Sequence, residues 1–360
     1  MLRHKLALSL TLCAAMPAAV LHAADSGLKE GTPDIKHAGS LAFAPHGVLL
    51  VGDTLNAAIY AIDTGDDQAS TGEKSVNIEG VNQKIAAMMG SDAAETVIND
   101  IAVNPVSGNL YLSVSRGRGP TAVPVIFKAD SKGALSEVSL TKVKFSKAAI
   151  ANAPESKEGQ RNPRMSAITD LQYKDGKVVV AGLSNEEFAS KLRVLKYPFD
   201  GTSQATSVEV YHGAHGKLET ASPVRTFTTY EDTVLAAYTC TPLVSIPVDD
   251  LKDGTKTKGK TIAELGNMNQ PLDMIVYKKG NQDYLLMSNT ARGVMKLKLS
   301  KSDIDATKAI DSRVNGTAGL PYETLSDLKD VLQLDKLNDN QAVLLVKNDG
   351  RQDIRTIALP

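Results

Sequence analysis

Six stretches of the chain repeat one alternation of apolar and polar positions. They begin at Ser40 (SLAFAPHGVLLVGDTLNAAIYAID), Asp100 (DIAVNPVSGNLYLSVSRG), Asp170 (DLQYKDGKVVVAGLSNEEFASKLRVLKY), Thr226 (TFTTYEDTVLAAYTCTPLVSIPV), Asp273 (DMIVYKKGNQDYLLMSNTARGVMKLKL) and Asp330 (DVLQLDKLNDNQAVLLVKNDGRQDIRTIAL). Each reads as a short strand, a tight turn, a second strand, a polar loop and a third strand. His46-Gly47, Ser107-Gly108, Asp175-Gly176 and Gly280-Asn281 supply residues that tolerate turn dihedrals. Short fourth runs follow at 75–78, 138–140, 207–210 and 261–263. Four antiparallel strands per unit make a propeller blade. The pattern predicts an all-β, six-bladed β-propeller, since a sandwich with a second domain leaves six copies of one pattern unexplained. The sixth unit has three strands, and 33–36 is expected to add its outer strand and close the ring. Short helical insertions are expected at 82–90 (NQKIAAMMG) and 145–153 (FSKAAIANA).

The first 24 residues read as an address. Arg3, His4 and Lys5 precede an apolar run over 6–20 that Pro17 interrupts, and small residues end at Ala23-Ala24. This is the pattern of a secretory signal peptide. The run is too short and too broken to span a bilayer. Cys13 has no small residue directly before it, which argues against a lipoprotein. The expected mature protein is one propeller domain over 25–360, secreted or periplasmic, without membrane insertion, and a monomer. Removing the leader leaves Cys240 as the only cysteine, so no intrachain disulfide is available.

Composition narrows the function classes. Lys+Arg 40 against Asp+Glu 41 gives a net charge of -1, which offers no basic bulk for nucleic acid. The chain has no G-x-S-x-G elbow, no P-loop and no GxGxxG.

The units GSLAFAPHGVLLVGDTLNAAIYAID and PLDMIVYKKGNQDYLLMSNTARGVMKLKL resemble blades of the NHL-repeat and SMP-30/gluconolactonase-like six-bladed propellers. That superfamily holds lactonases, lyases, cofactor enzymes and pure binding scaffolds. Its lactonases hold a divalent cation, commonly calcium, in the central channel. The segment INDIAVNPVSG, with Asn99 and Asp100, resembles one of their ligand segments.

Three constellations carry candidate chemistry. Aligning the innermost strands puts Ser40, Asp100, Asp170, Thr226, Asp273 and Asp330 in one column. With Asn99, these oxygens could ring a calcium ion or another divalent cation. Alternatively, each Asp accepts backbone N–H groups and fixes the neighbouring blade. The second constellation is HGAHG, where His212 and His215 at i, i+3 could meet one transition metal. His37, Cys240 or a nearby carboxylate would supply the third ligand. A surface turn is the plainer reading of that loop, and a small buried filler the plainer reading of Cys240. The third is basic: Arg116, Arg164, Arg225 and Arg292, with Arg118 and Arg161 nearby, fall on loops of the face from which the innermost strands set out, called here the upper face. They suit an anionic ligand, or they neutralise the Asp column.

Together these features predict a non-catalytic binding or scaffold protein that takes a small molecule or partner protein on the upper face. The alternative is a divalent-metal-dependent hydrolase of the lactonase type with an Asp-lined channel.

Overall fold

A computed structural model describes residues 27–70, 74–157 and 162–360. The signal peptide expected over 1–24 and Arg161 lie outside the described residues. The chain is an all-β propeller, and the described strands fall into six antiparallel meanders. Numbered by the chain order of their innermost strands, blades 1 to 6 start with Leu41–Ala44, Thr96–Val103, Asp170–Lys174, Val224–Tyr230, Pro271–Lys279 and Val331–Asn338. Second and third strands, such as Val48–Asp53 with Ala58–Asp63 and Thr233–Tyr238 with Pro242–Pro247, are almost wholly buried. Their near-continuous apolar runs follow from packing against a neighbouring blade on each face.

The blades do not stand in chain order. The innermost strands neighbour one another around the channel in the order 2, 1, 3, 4, 5, 6, then back to 2. The apolar layers agree. Leu41, Tyr60, Ala102 and Tyr111 pack blade 1 on blade 2. Leu50, Ile59, Leu171 and Val180 pack blade 1 on blade 3. Ile101, Leu112, Val343 and Leu345 pack blade 2 on blade 6.

Two crossings produce this exchange, and each corrects a sequence expectation. The run 75–78 does not complete blade 1. It lies along Arg351–Ala358 of blade 6, where Ile78 and Ile354 exchange both backbone hydrogen bonds, at 2.9 and 2.8 Å. The outer strand of blade 1 comes instead from Val143–Ala149, after blade 2 is finished. That segment was expected to begin a helix. Its alternation of exposed and half-buried positions matches an edge strand, and the fully apolar flank of Ala58–Asp63 was there to pair. The N-terminal strand Lys29–Gly31 adds to blade 1 through Val143–Phe145 pairing, so 33–36 does not close blade 6.

The expected helix at 82–90 is present as Val81–Met89, with Gly90 in the left-handed region at φ 62° ending it. It packs against Arg351–Ala358 and the start of blade 2. Among the described residues no helix is long and apolar enough to cross a membrane. Blades 3 and 4 are also joined at their rims, where 207–210 and 256–259 pair in parallel.

Candidate functional site

The channel is lined by one side chain per blade from each innermost strand. In four of the six strands a β-bulge sets the register. It falls just before Asp100, Thr226, Asp273 and Gln333. Gln333, not Asp330, is therefore the sixth member of the column. Asp330 precedes its strand, is exposed, has φ 54°, and offers its carbonyl to Lys347 N–H. Asp335 stands one layer below Gln333, two residues further along the same strand.

Each Asp of the column holds a seam. Asp170 Oδ1 accepts its own following N–H, Leu171, at 2.7 Å, and Oδ2 accepts Phe227 N–H of blade 4 at 2.9 Å. Asp100 does the same with Ile101 at 2.8 Å and Leu41 of blade 1 at 2.7 Å. Asp273 takes Met274 at 2.7 Å and Leu334 of blade 6 at 2.9 Å. Asp335 closes the pattern onto blade 2 through Val103 N–H at 2.7 Å. Asn99 ties blade 2 to blade 1 by donating to the Ala38 carbonyl at 2.8 Å, and Ser40 donates to the Thr169 carbonyl at 3.1 Å. With its amide turned to donate, Gln333 bridges Asp273 Oδ2 at 2.8 Å and Asp100 Oδ1 at 3.3 Å.

Burial dominates the charge state of this group. It raises Asp170 to about 6 against the opposing pull of the Phe227 and Leu171 N–H groups, and it raises Asp335 to about 6 in the same way. Asp100 and Asp273 lie well above the usual carboxylate range, first from burial and then from the charges of Asp170 and Asp335, with Asp100 adding to the shift of Asp273. A calcium ion needs six to eight oxygens at 2.3–2.6 Å from one centre. Among the described residues no three of these carboxylates bring oxygens within 4.8 Å of one another. The carboxylates of the column are spread around the channel, and each accepts backbone N–H groups.

The arginines stand apart from the column. Arg116 ends the second strand of blade 2 opposite Thr96 and donates to the Met89 carbonyl at 3.4 Å. Arg292 sits in the turn between the second and third strands of blade 5 and donates to the Asn267 carbonyl at 3.1 Å. Arg164 lies in the 3-10 turn Pro163–Ser166 leading into blade 3, its Nε buried without a partner. Arg225 borders the channel, where it donates through Nε to Thr239 Oγ1 at 2.9 Å, and burial lowers its pKa. All four thus lie on the upper face, Arg116 and Arg225 near strand ends and Arg164 and Arg292 in turns. Among the described residues none of them forms an ion pair with a carboxylate.

The histidine loop lies on the same face. His212 ends the strand Ser203–His212 of blade 3, and its Nδ1 lies 3.0 Å from Glu219 Oε2. His215 Nδ1 lies 2.7 Å from Glu219 Oε1. Cys240 occupies the hairpin turn between the second and third strands of blade 4. Cys240 and Thr241 there have φ 61° and 63°, a pair of left-handed conformations in a turn that favours Asn-Gly. His37, by contrast, is engaged by Thr54 Oγ1 at 3.0 Å.

No protein-family model matches the chain, and no curated protein matches it. Solved structures similar to it include YCF48 bound to D1 peptide, at 9% identity over 96% of this chain and 100% of that one, with a TM-score of 0.30. The WD40 β-propeller domain of Doa1 is 8% identical over 91% of this chain and 96% of that one, with a TM-score of 0.33. A structural-genomics protein of unknown function from Bacteroides thetaiotaomicron is 10% identical over 92% of this chain and 72% of that one, with a TM-score of 0.37. The assignment as a propeller rests on the strand pairing and ring order described above.

Proposed function

We propose that the protein is an exported, non-catalytic binding scaffold whose upper face takes an anionic ligand or an acidic segment of a partner. One observation carries this reading. Arg116, Arg164, Arg225 and Arg292 share a face without carboxylate partners among the described residues, while the acids they might have neutralised are tied into seams between blades. Guanidinium groups held this way keep their planar forks for carboxylate or phosphate. Arg225 is the anchor, because its partial burial at the channel mouth has already removed much of its water. The seam role of the Asp carboxylates supports the scaffold over lactonase-type hydrolysis, which would need them converged on a cation.

The test is calorimetric titration of the purified protein with a poly-glutamate peptide and with pyrophosphate. Binding to at least one probe is expected, weakening as salt rises, and an Arg164→Gln, Arg225→Gln variant should lose at least tenfold in affinity. No heat with either probe, or equal affinity in parent and variant, overturns the reading.

A further inference from the structure

Three ligand-type side chains from two turns, the histidine loop and the Cys240 hairpin, meet beside blades 3 and 4. One ligand atom from each of His212, His215 and Cys240 lies within 4.8 Å of the other two. The two imidazole rings are 3.8 Å apart between centroids and tilted by 35°.

Glu219 fixes how those rings are protonated. Its Oε2 lies 3.0 Å from His212 Nδ1 and accepts the Ser222 hydroxyl, and its Oε1 lies 2.7 Å from His215 Nδ1. A carboxylate accepts hydrogen bonds, so each imidazole turns its Nδ1–H toward Glu219. Each Nε2 is then a bare lone pair. His212 is 2% exposed, and its Nε2 is buried with no hydrogen-bond partner. Buried acceptors are nearly always satisfied, so one left open marks a position suited to a further group. A carboxylate behind a histidine whose other nitrogen is free is also the outer shell that orients histidines onto metals. Here one carboxylate serves two of them.

We propose that His212, His215 and Cys240 form a mononuclear site for copper or zinc, with Glu219 as the positioning residue. Two imidazoles and a thiolate suit these borderline-to-soft ions, whereas calcium and magnesium take oxygen. Ligand bonds of about 2.0–2.3 Å in a tetrahedral arrangement separate ligand atoms by roughly 3.3–3.8 Å, so atoms already within 4.8 Å of one another need close by no more than about 1.5 Å. The His215 side chain is 43% exposed, which gives the ion a route in from solvent. Three protein ligands leave a fourth position. Glu264 packs under the same loop, its Oε1 accepting Gly213 N–H and its Oε2 buried without a partner.

The test is titration of the purified, reduced protein with Zn(II), and with Cu(I) under anaerobic conditions, each against a competing chelator. One equivalent is expected to bind. His215→Ala and Cys240→Ser should each weaken it at least a hundredfold, and Glu219→Gln about tenfold or more. His37→Ala should leave it unchanged. His215 and Cys240 are chosen because neither is deeply buried, and unaltered far-ultraviolet circular dichroism would show that each variant folds. Cobalt(II) loading provides a readout besides affinity: a thiolate-to-cobalt charge-transfer band in the parent, absent in Cys240→Ser. A preference for one ion over the other identifies the metal. Failure to bind either ion against the chelator, or parent-like binding by the Cys240→Ser or His215→Ala variant, overturns the site. These outcomes are independent of the arginine-dependent binding of anions.

Discussion

Asp335 accepts the backbone N–H of Val103 at 2.7 Å, across 232 residues of chain. That bond joins blade 6 to blade 2 and so closes a ring in which blade 1 is no neighbour of blade 6. Its Oδ1 also takes Lys336 N–H. Asp335→Ala leaves two strand N–H groups short of an acceptor. The Lys336 bond is exposed and the Val103 bond part-buried; leaving a buried N–H unpaired costs about 1–3 kcal/mol, so the variant should be roughly 1–3 kcal/mol less stable by urea unfolding. A change under about 0.5 kcal/mol would mean that the seam is held by apolar packing alone.

Stability should fall as pH rises through the weakly acidic range. Asp170 and Asp335 are raised to about 6, and Asp100 and Asp273 are raised further. For a carboxyl raised above its unfolded value, the stabilising contribution is complete below about pH 4 and is lost as pH climbs through the folded value. Glu219 and Asp353, held at about 2, act the other way, and their contribution disappears only below about pH 4. Burial also lowers His37 and His212, whose contribution is lost as pH falls below about 6.5, so the expected signature is a melting temperature lower at pH 8 than at pH 6. Scanning calorimetry across that range checks this, and a melting temperature that is higher at pH 8 contradicts it.

Cys240→Gly should stabilise the metal-free protein by up to about 1 kcal/mol, because glycine adopts φ 61° without the Cβ penalty. The same change should abolish metal binding. A stabilised variant that still binds zinc would separate the strained turn from the proposed site.

Thr356 pins the run 75–78 to blade 6. Its Oγ1 accepts Val76 N–H at 2.8 Å and donates to the Val76 carbonyl at 2.9 Å. Thr356→Val keeps the volume and removes both bonds. Amide exchange at Val76 and Ile78 should accelerate by tenfold or more, with little change in the second strand of blade 5, Gln282–Asn289. Uniform acceleration across the ring would instead indicate global destabilisation.

The repeating unit was legible because hairpins are local. Turn residues and alternating apolar positions lie within some thirty residues, and every blade start found this way is an innermost strand. Which blade stands beside which is decided by seam contacts such as Asp100 with Leu41 and Asp335 with Val103, and no local pattern encodes them. The segment from Phe145 misled because alanines at helical spacing mask an edge strand whose partner, Ala58–Asp63, lies far back in the chain. Asp330 was misplaced because Asp330-Val331-Leu332 mimics the Asp-apolar openings at Asp100 and Asp273, three residues ahead of Gln333, which holds the equivalent position after the bulge. The histidine pair and its candidate thiol were readable, since i, i+3 spacing and a Cys in a turn are local features. Glu219, which orients both rings, was missed, although its i+4 spacing from His215 was a usable signal.

The exchanged blade order governs the timing of synthesis. As the chain emerges from the ribosome, blades 2, 1, 3, 4 and 5 can assemble only as an open arc, with an uncovered sheet face at either end. Residues 75–78 and the helix Val81–Met89 are made early, yet the strand they grip, Arg351–Ala358, is made after every other described strand. For most of its growth the nascent protein therefore carries an empty clasp and two unsealed apolar faces. Such long-range closure is slow and exposed to aggregation. Losing the last ten residues should thus leave an arc that cannot shut, rather than a propeller missing one strand.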